Sequence, residues 1–161
     1  MTWPVGEFDE LQRLRVLHAA MPGTMLAETV LPAPLDDVWS VLENVETGFP
    51  GLVPDVRSVR VVDRDGERLR VDVHGRSGLR APFDMVLRPG WCLMQSRFLV
   101  FGMAAVADGE TTRFGYLAGL RVPGKRLIAP VLSCWQRRLA RTTLRRFEDR
   151  FGGNPLRRDS R

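Results

Sequence analysis

The sequence predicts an α+β fold: a curled antiparallel sheet of about six or seven strands around one long C-terminal α-helix, with two short helices after the first strand. Three observations predict it. The elements run in the order strand, two short helices, strand meander, long helix. The meander closes with one apolar face when its strands are set in register. The last 25 or so helical positions carry one apolar stripe, which the sheet must curl to cover.

A short helix precedes this unit. From Glu7 to Ala20, Phe8, Leu11, Leu14 and Leu17 recur every third residue with charges between them, and Met21-Pro22-Gly23 ends the run. Thr24 to Leu31 reads as the first strand. Pro34 then opens a helix over Leu35 to Asn44, where Asp36 and Asp37 suit the positive end and Val38, Trp39, Val41 and Leu42 form the buried face. A Gly/Pro-rich passage, Thr47 to Pro54, follows, and strands and turns continue to Val122.

A one-residue slip reverses every side chain, so pairing like faces selects the register at each turn. Across Arg64-Asp65-Gly66, Val61 is set opposite Leu69 and Val59 opposite Val71. Across Gly75 to Gly78, Val71 meets Phe83, Leu69 meets Met85 and Val73 meets Ala81, while Arg70 meets Asp84 on the other surface. Gly109-Glu110 fits a two-residue type II′ hairpin that sets Ala105 against Phe114 and Met103 against Tyr116.

The final helix runs from about Leu127 to Phe151, with Pro130 in its first turn. Its stripe is Ile128, Leu132, Trp135, Leu139, Thr143, Phe147 and Phe151, and Arg137, Arg138, Arg141 and Arg145 share the opposite side. The division expected is an N-terminal amphipathic helix extension over 1–23, one α+β domain over 24–151 and a disordered basic tail over 152–161.

Composition narrows the function. The chain has 161 residues and net charge +5, but the excess is local: residues 125–161 hold 11 Lys/Arg and 3 Asp/Glu, residues 1–124 hold 13 and 16. The basic balance therefore describes one helix face and a tail. That face offers contact to RNA phosphates or an anionic membrane, but a plain solvated surface is the favoured reading, since no aromatic interleaving accompanies it. No DNA partner is expected. The acidic start and the lack of a long apolar run predict a cytoplasmic protein without a signal peptide or membrane span. Cys92 and Cys134 are too few for a zinc motif and are expected as small core residues, and two histidines without ligand spacing predict no metal and no cofactor. Gly119 to Lys125 satisfies GxxxxGK, but Arg126 stands where Ser/Thr would hold magnesium and Pro123 removes a phosphate-binding N–H, so no phosphate loop is expected.

The stretch Glu28-Thr-Val-Leu-Pro-Ala-Pro-Leu-Asp-Asp-Val-Trp39, followed by Phe49-Pro50 and Val53-Pro54-Asp55-Val56-Arg57-Ser58-Val59, resembles the START/Bet v 1-like (SRPBCC) superfamily, in its polyketide cyclase/dehydrase and lipid-transport-like branch. The resemblance covers about Met25 to Phe151 and leaves the lead-in helix outside it. It implies a helix-grip fold with a deep apolar cavity between sheet and long helix. Candidate lining residues are Val59, Val61, Leu69 and Val71 from the first hairpin, Phe83, Met85 and Leu93 from the next strands, Met103, Phe114 and Tyr116 from the last hairpin, and Trp135 and Leu139 from the helix. The implied function is binding of a lipid, quinone or polyketide-like molecule, with a polyketide cyclase/aromatase or dehydratase as the alternative. A partner-binding module using the arginine face is the second alternative.

Chemistry in such a cavity needs a group to move protons and a donor to steady an enolate. Tyr116, the only tyrosine, is the candidate, although its hydroxyl could equally satisfy backbone or water. Gln95 and Arg97 share the face of Leu93 by alternation and could orient a polar head group. His74 and Asp84 fall on the outer surface beside Arg80 and Arg70, where cross-strand charge pairing accounts for them.

Overall fold

The computed structural model describes residues 6–121 and 129–152, and residues 129, 130 and 132 by backbone only. The elements are α1 (Glu10–Ala20), β1 (Thr24–Leu31), α2 (Leu35–Glu43), α3 (Val45–Leu52), β2 (Val56–Asp65), β3 (Arg68–Gly75), β4 (Arg80–Arg88), β5 (Trp91–Gln95), β6 (Leu99–Asp108), β7 (Thr111–Leu120) and α4 (Ala129–Phe151). The seven strands form one antiparallel sheet in the order β1-β7-β6-β5-β4-β3-β2. Helices α2, α3 and α4 pack on its concave face, and α1 on its convex face. This is the α+β architecture expected from the order of elements, and it is the helix-grip fold that the resemblance implies. The last residues of the GxxxxGK stretch, Ile128 and residues 153–161 lie outside the described residues.

Helix α1 begins later than its hydrophobic pattern suggested, because Asp9 caps it. The Gln12 N–H donates to Asp9 Oδ1 at 2.8 Å and the Asp9 N–H donates to Gln12 Oε1 at 2.9 Å, a reciprocal capping box. Phe8 therefore precedes the helix and is exposed, so it drops out of the buried stripe. Leu11 and Leu14 are buried and Leu17 partly so, against Trp91, Val100, Ala104 and Leu117. The floor under them is glycine. A Cβ on Gly115 would sit 2.6 Å from Leu11 Cδ1, and one on Gly102 2.9 Å from Leu14 Cδ1. Arg15 adds a two-pronged ion pair to Glu28 at 2.7 and 2.8 Å, with Arg113–Asp9 at 3.3 Å and Arg88–Glu10 at 3.4 Å.

The β3–β4 and β6–β7 registers are those that face-matching selects. Gly109 has φ +62° while no other residue type has positive φ, as a type II′ turn requires. The β2–β3 register differs. Val61 pairs with Val71 and Val59 with Val73, because the turn is Gly66-Glu67 and an irregularity between Val61 and Asp63 leaves Val62 unpaired. The shift is two residues, so the faces are unchanged.

Helix α4 lies along the concavity with Leu139, Ala140, Thr143 and Phe147 buried, and Phe147 stacks on Phe114 at 4.4 Å between centroids. Its buried side is rotated from the expected stripe. Gln136 takes the inward position, its side-chain amide donating to the Gly23 carbonyl at 3.3 Å, and Trp135 is left 42% exposed. Arg137, Arg138, Arg141 and Arg145 are exposed. Cys92 is buried, with its thiol pKa pushed up to about 12 by burial, whereas Cys134 is exposed on α4 and is not the core residue expected.

Candidate functional site

The concave core is filled at one end and open at the other. Where the Phe114–Phe147 stack sits, Leu31, Val38 and Leu42 close the space. Toward the end of the sheet where β2, β4 and β6 begin, a cavity of about 50 Å³ remains. It is bounded by Phe49 of α3 and Val53 just after that helix, by Val59, Val73 and Phe83, by Met94, Phe101 and Met103, and by Tyr116 and Leu139. Asp55 and Val56, at the junction of α3 and β2, complete the wall. Asp55 is exposed, and Val56, Val73 and Phe101 are half-buried, so the cavity reaches the surface there.

Tyr116 is the polar feature of this apolar wall. The residue is fully buried, and its hydroxyl has no hydrogen-bond partner among the described residues. The Thr143 hydroxyl of α4 donates to the Leu139 carbonyl at 2.8 Å and retains its acceptor lone pairs, but no hydrogen bond of adequate geometry joins it to the Tyr116 hydroxyl. Burial raises the phenol pKa far above its ordinary value; the hydrogen-bonding influence of the Thr143 side chain works against this, and the Asp55 carboxylate adds to it. Tyr116 is consequently a neutral hydrogen-bond donor and not a base. Asp55 is the ionisable side chain other than Tyr116 in the described wall. No group of three or more His, Cys, Asp or Glu side chains gathers as a metal site among the described residues.

Of the residues the sequence singled out, Val59, Phe83, Met103, Tyr116 and Leu139 line the cavity. Leu69, Val71, Met85 and Phe114 are buried on the same concave face but packed into the filled core, and Val61 is half-buried at its edge. Three placements are corrected. Leu93 and Gln95 lie on the convex face, since Met85 pairs with Met94 and Val86 with Leu93. Leu93 packs toward α1, and Gln95 accepts a 3.4 Å hydrogen bond from Arg121. Trp135 flanks the cavity one turn before Leu139 without lining it. Arg97 is exposed at the β5–β6 turn, over the Phe98 ring. His74 pairs across the sheet with Arg80, and Asp84 with Arg70 at 3.8 Å, as the register required.

The sequence reading missed Phe49, Val53, Asp55, Val56, Val73, Met94 and Phe101. Val73 was within reach, because it alternates with Val71 and Val59 was already placed inward. Met94 and Phe101 follow once the β4–β5 turn is fixed at Pro89-Gly90, with Gly90 at φ +77°.

The family profile described as polyketide cyclase/dehydrase and lipid transport matches residues 31–148. Comparison with curated protein sequences gave no match. Among solved structures, a protein from Thermus thermophilus superposes with a TM-score of 0.63 at 20% identity, over 80% of this chain and 96% of that one. The Zhui aromatase/cyclase from Streptomyces sp. R1128 gives 0.64 at 16% identity, over 80% and 93%. A START superfamily protein from Mycobacterium smegmatis gives 0.57 at 14% identity, over 81% and 97%. At these identities the structures share the fold.

Proposed function

Because the chain belongs to the polyketide cyclase/dehydrase and lipid transport family, we infer that it binds a hydrophobic small molecule in the concave cavity, and that the Tyr116 hydroxyl donates to an acceptor oxygen on that molecule. The observation that carries this reading is the fully buried, unpartnered Tyr116 hydroxyl in an apolar wall. A buried donor without an acceptor costs roughly 1–3 kcal/mol, which a ligand carbonyl would recover. The cavity of about 50 Å³ is well below the roughly 300 Å³ at which drug-sized pockets begin. Binding a quinone, lipid or polyketide-like molecule thus requires the wall to yield. Met94 and Met103 are suited to it, being unbranched and adaptable.

Titration with 1-tetralone, an aromatic ketone, and with tetralin, its carbonyl-free counterpart, tests the reading. The ketone is expected to bind the parent protein, and Tyr116→Phe to weaken it by roughly 3–10-fold while leaving tetralin unchanged. Equal ketone binding by parent and variant, or no binding of either compound, would remove the proposal.

A second reading rests on Asp55. Its carboxylate borders the same cavity, so it could take an α-proton from a ketone whose oxygen Tyr116 holds. The resulting enolate carbon attacks a second carbonyl of the chain, and the new alkoxide recovers the proton from Asp55, as in an aldol cyclisation. Structural likeness to an aromatase/cyclase supports this as the alternative. The two readings part at Asp55→Asn, which in the enzyme stops turnover of a poly-β-ketone and in the binding protein leaves ketone affinity in place.

A further inference from the structure

The two ends of the sheet present opposite chemistry to solvent. At one end the turns are Gly66-Glu67 after Asp65, Pro89-Gly90, and Gly109-Glu110 after Asp108. Those turns are acidic or neutral at their tips and carry no exposed large apolar side chain. The opposite end holds the β3–β4 and β5–β6 turns, and each puts one large apolar residue outward: Leu79 is 75% exposed and Phe98 48% exposed. Arginines surround both. Arg76 and Arg80 bracket Leu79 in the chain, the Arg97 guanidinium lies 5.1 Å over the Phe98 ring, and the Arg121 backbone N–H donates to the Phe98 carbonyl at 2.7 Å. Across residues 53–57, 74–81, 95–99 and 119–121 there are five arginines and one carboxylate, Asp55. The first turns of α4 add exposed Val131 and Trp135 at the same end.

We propose that this end of the molecule docks on an anionic lipid bilayer, with Leu79 and Phe98 entering the acyl boundary and Arg76, Arg80, Arg97 and Arg121 meeting headgroup phosphates. The form of the surface selects this partner. Its apolar groups are points on separate protruding turns with cations around each, an arrangement that suits insertion into a fluid interface. A protein partner of stable affinity would call for a contiguous apolar core ringed by polar groups. The charge is complementary to an anionic surface and of opposite sign at the far end of the sheet, so the molecule has one preferred orientation. That orientation turns the opening of the cavity, at Asp55, Val56, Val73 and Phe101, toward the bilayer. The proposal stands independently of what the cavity holds.

Co-sedimentation of the full chain with vesicles tests it, comparing pure phosphatidylcholine with phosphatidylcholine containing about a third phosphatidylglycerol. Binding is expected to the anionic vesicles, falling as salt rises, since the phosphate contacts are screened. Leu79→Ser and Phe98→Ser should each weaken it, and together by about tenfold or more; Leu79→Ser, at a side chain 75% exposed, should leave thermal stability unchanged, and Phe98→Ser, at a half-covered ring, should lower it only slightly. Three results would overturn the proposal: no binding of the parent to anionic vesicles, whatever proteins it associates with; unchanged binding of both single variants; or binding that Arg137→Glu and Arg141→Glu abolish while Leu79→Ser and Phe98→Ser leave it intact.

Discussion

Both faces of the sheet are apolar, and they are covered to very different tolerances. On the convex face α1 presses Leu11 and Leu14 onto Gly115 and Gly102, so closely that a single methyl on either glycine would meet a leucine at 2.6 or 2.9 Å. On the concave face, Tyr116 belongs to the same strand as Gly115, yet it borders about 50 Å³ of empty space with its hydroxyl unpaired. At about 24 cal/mol per Å³ the void costs on the order of 1 kcal/mol, and the hydroxyl adds roughly 1–3. One strand thus carries a contact too close for a methyl group on one side and a buried, unpartnered hydroxyl on the other; Arg88 Nε, beside α1, is the second buried polar atom without a partner among the described residues. The void lies on the concave face, beside the hydroxyl proposed to hold the ligand.

The sharpest way to break the comparison is to make one chemical change on each face. Leu14→Ala removes a side chain with no exposed surface from a contact without slack, and is expected to cost about 3–4 kcal/mol. Leu139→Ala, beside the existing void, should cost nearer 2, because fewer contacts are lost there. Urea unfolding of both variants measures the difference. Equal losses would show that the concave wall is as tightly packed as the convex one, and the distinction between the faces would fall. Leu139→Ala should also enlarge the cavity and admit larger ketones than the parent.

The same contrast governs what the sequence could reveal. The concave face was legible where hydrophobic alternation and a turn agreed, as at Val71 opposite Phe83 and Met103 opposite Tyr116. Strand β5 was not legible, because Trp91, Cys92, Leu93 and Met94 are apolar on both faces. Alternation carries no information when a helix covers the second face, and only the Pro89-Gly90 turn decides which side Leu93 takes. In α4 the stripe misplaced Trp135 for a related reason. Gln136 is polar yet occupies the inward position through a hydrogen bond to the Gly23 carbonyl, a long-range partner that helical spacing cannot announce. Asp55 escaped notice because its meaning lies in its position at the rim of a cavity built by residues far apart in the chain.

A smaller effect separates function from stability at Tyr116. Replacing a buried tyrosine by phenylalanine ordinarily removes a satisfied hydrogen bond and destabilises a protein by about 1 kcal/mol. Here no bond is lost, so Tyr116→Phe should leave the ligand-free protein as stable or about 1 kcal/mol more stable, even as it weakens ketone binding. Thermal unfolding with and without 1-tetralone reads both. A loss of stability in the ligand-free variant would mean that the hydroxyl is satisfied in solution, and the reading of Tyr116 as an unpartnered donor would fall.

The smallest effect concerns how the convex cover is fastened. The two-pronged hydrogen bond from Arg15 holds the Glu28 carboxyl below the ordinary carboxylate pKa; partial burial opposes this, while the charges of Arg15 and Arg113 reinforce it and Asp9 works against it. A carboxyl with a depressed pKa in the folded state binds fewer protons there than in the unfolded chain. Its contribution is therefore fully present above about pH 5 and is lost as pH falls through the folded-state value. Because Arg15 and Glu28 are largely solvent-exposed, the contribution is small and should shrink further at high salt. Hydrogen exchange along α1 is expected to quicken relative to the sheet as pH is lowered from about 6 toward 3, after correction for intrinsic exchange rates. In Glu28→Gln, the part of that quickening which comes from this pair should disappear. An identical pH response in the variant would assign the fastening of α1 to Leu11, Leu14 and the glycine floor alone.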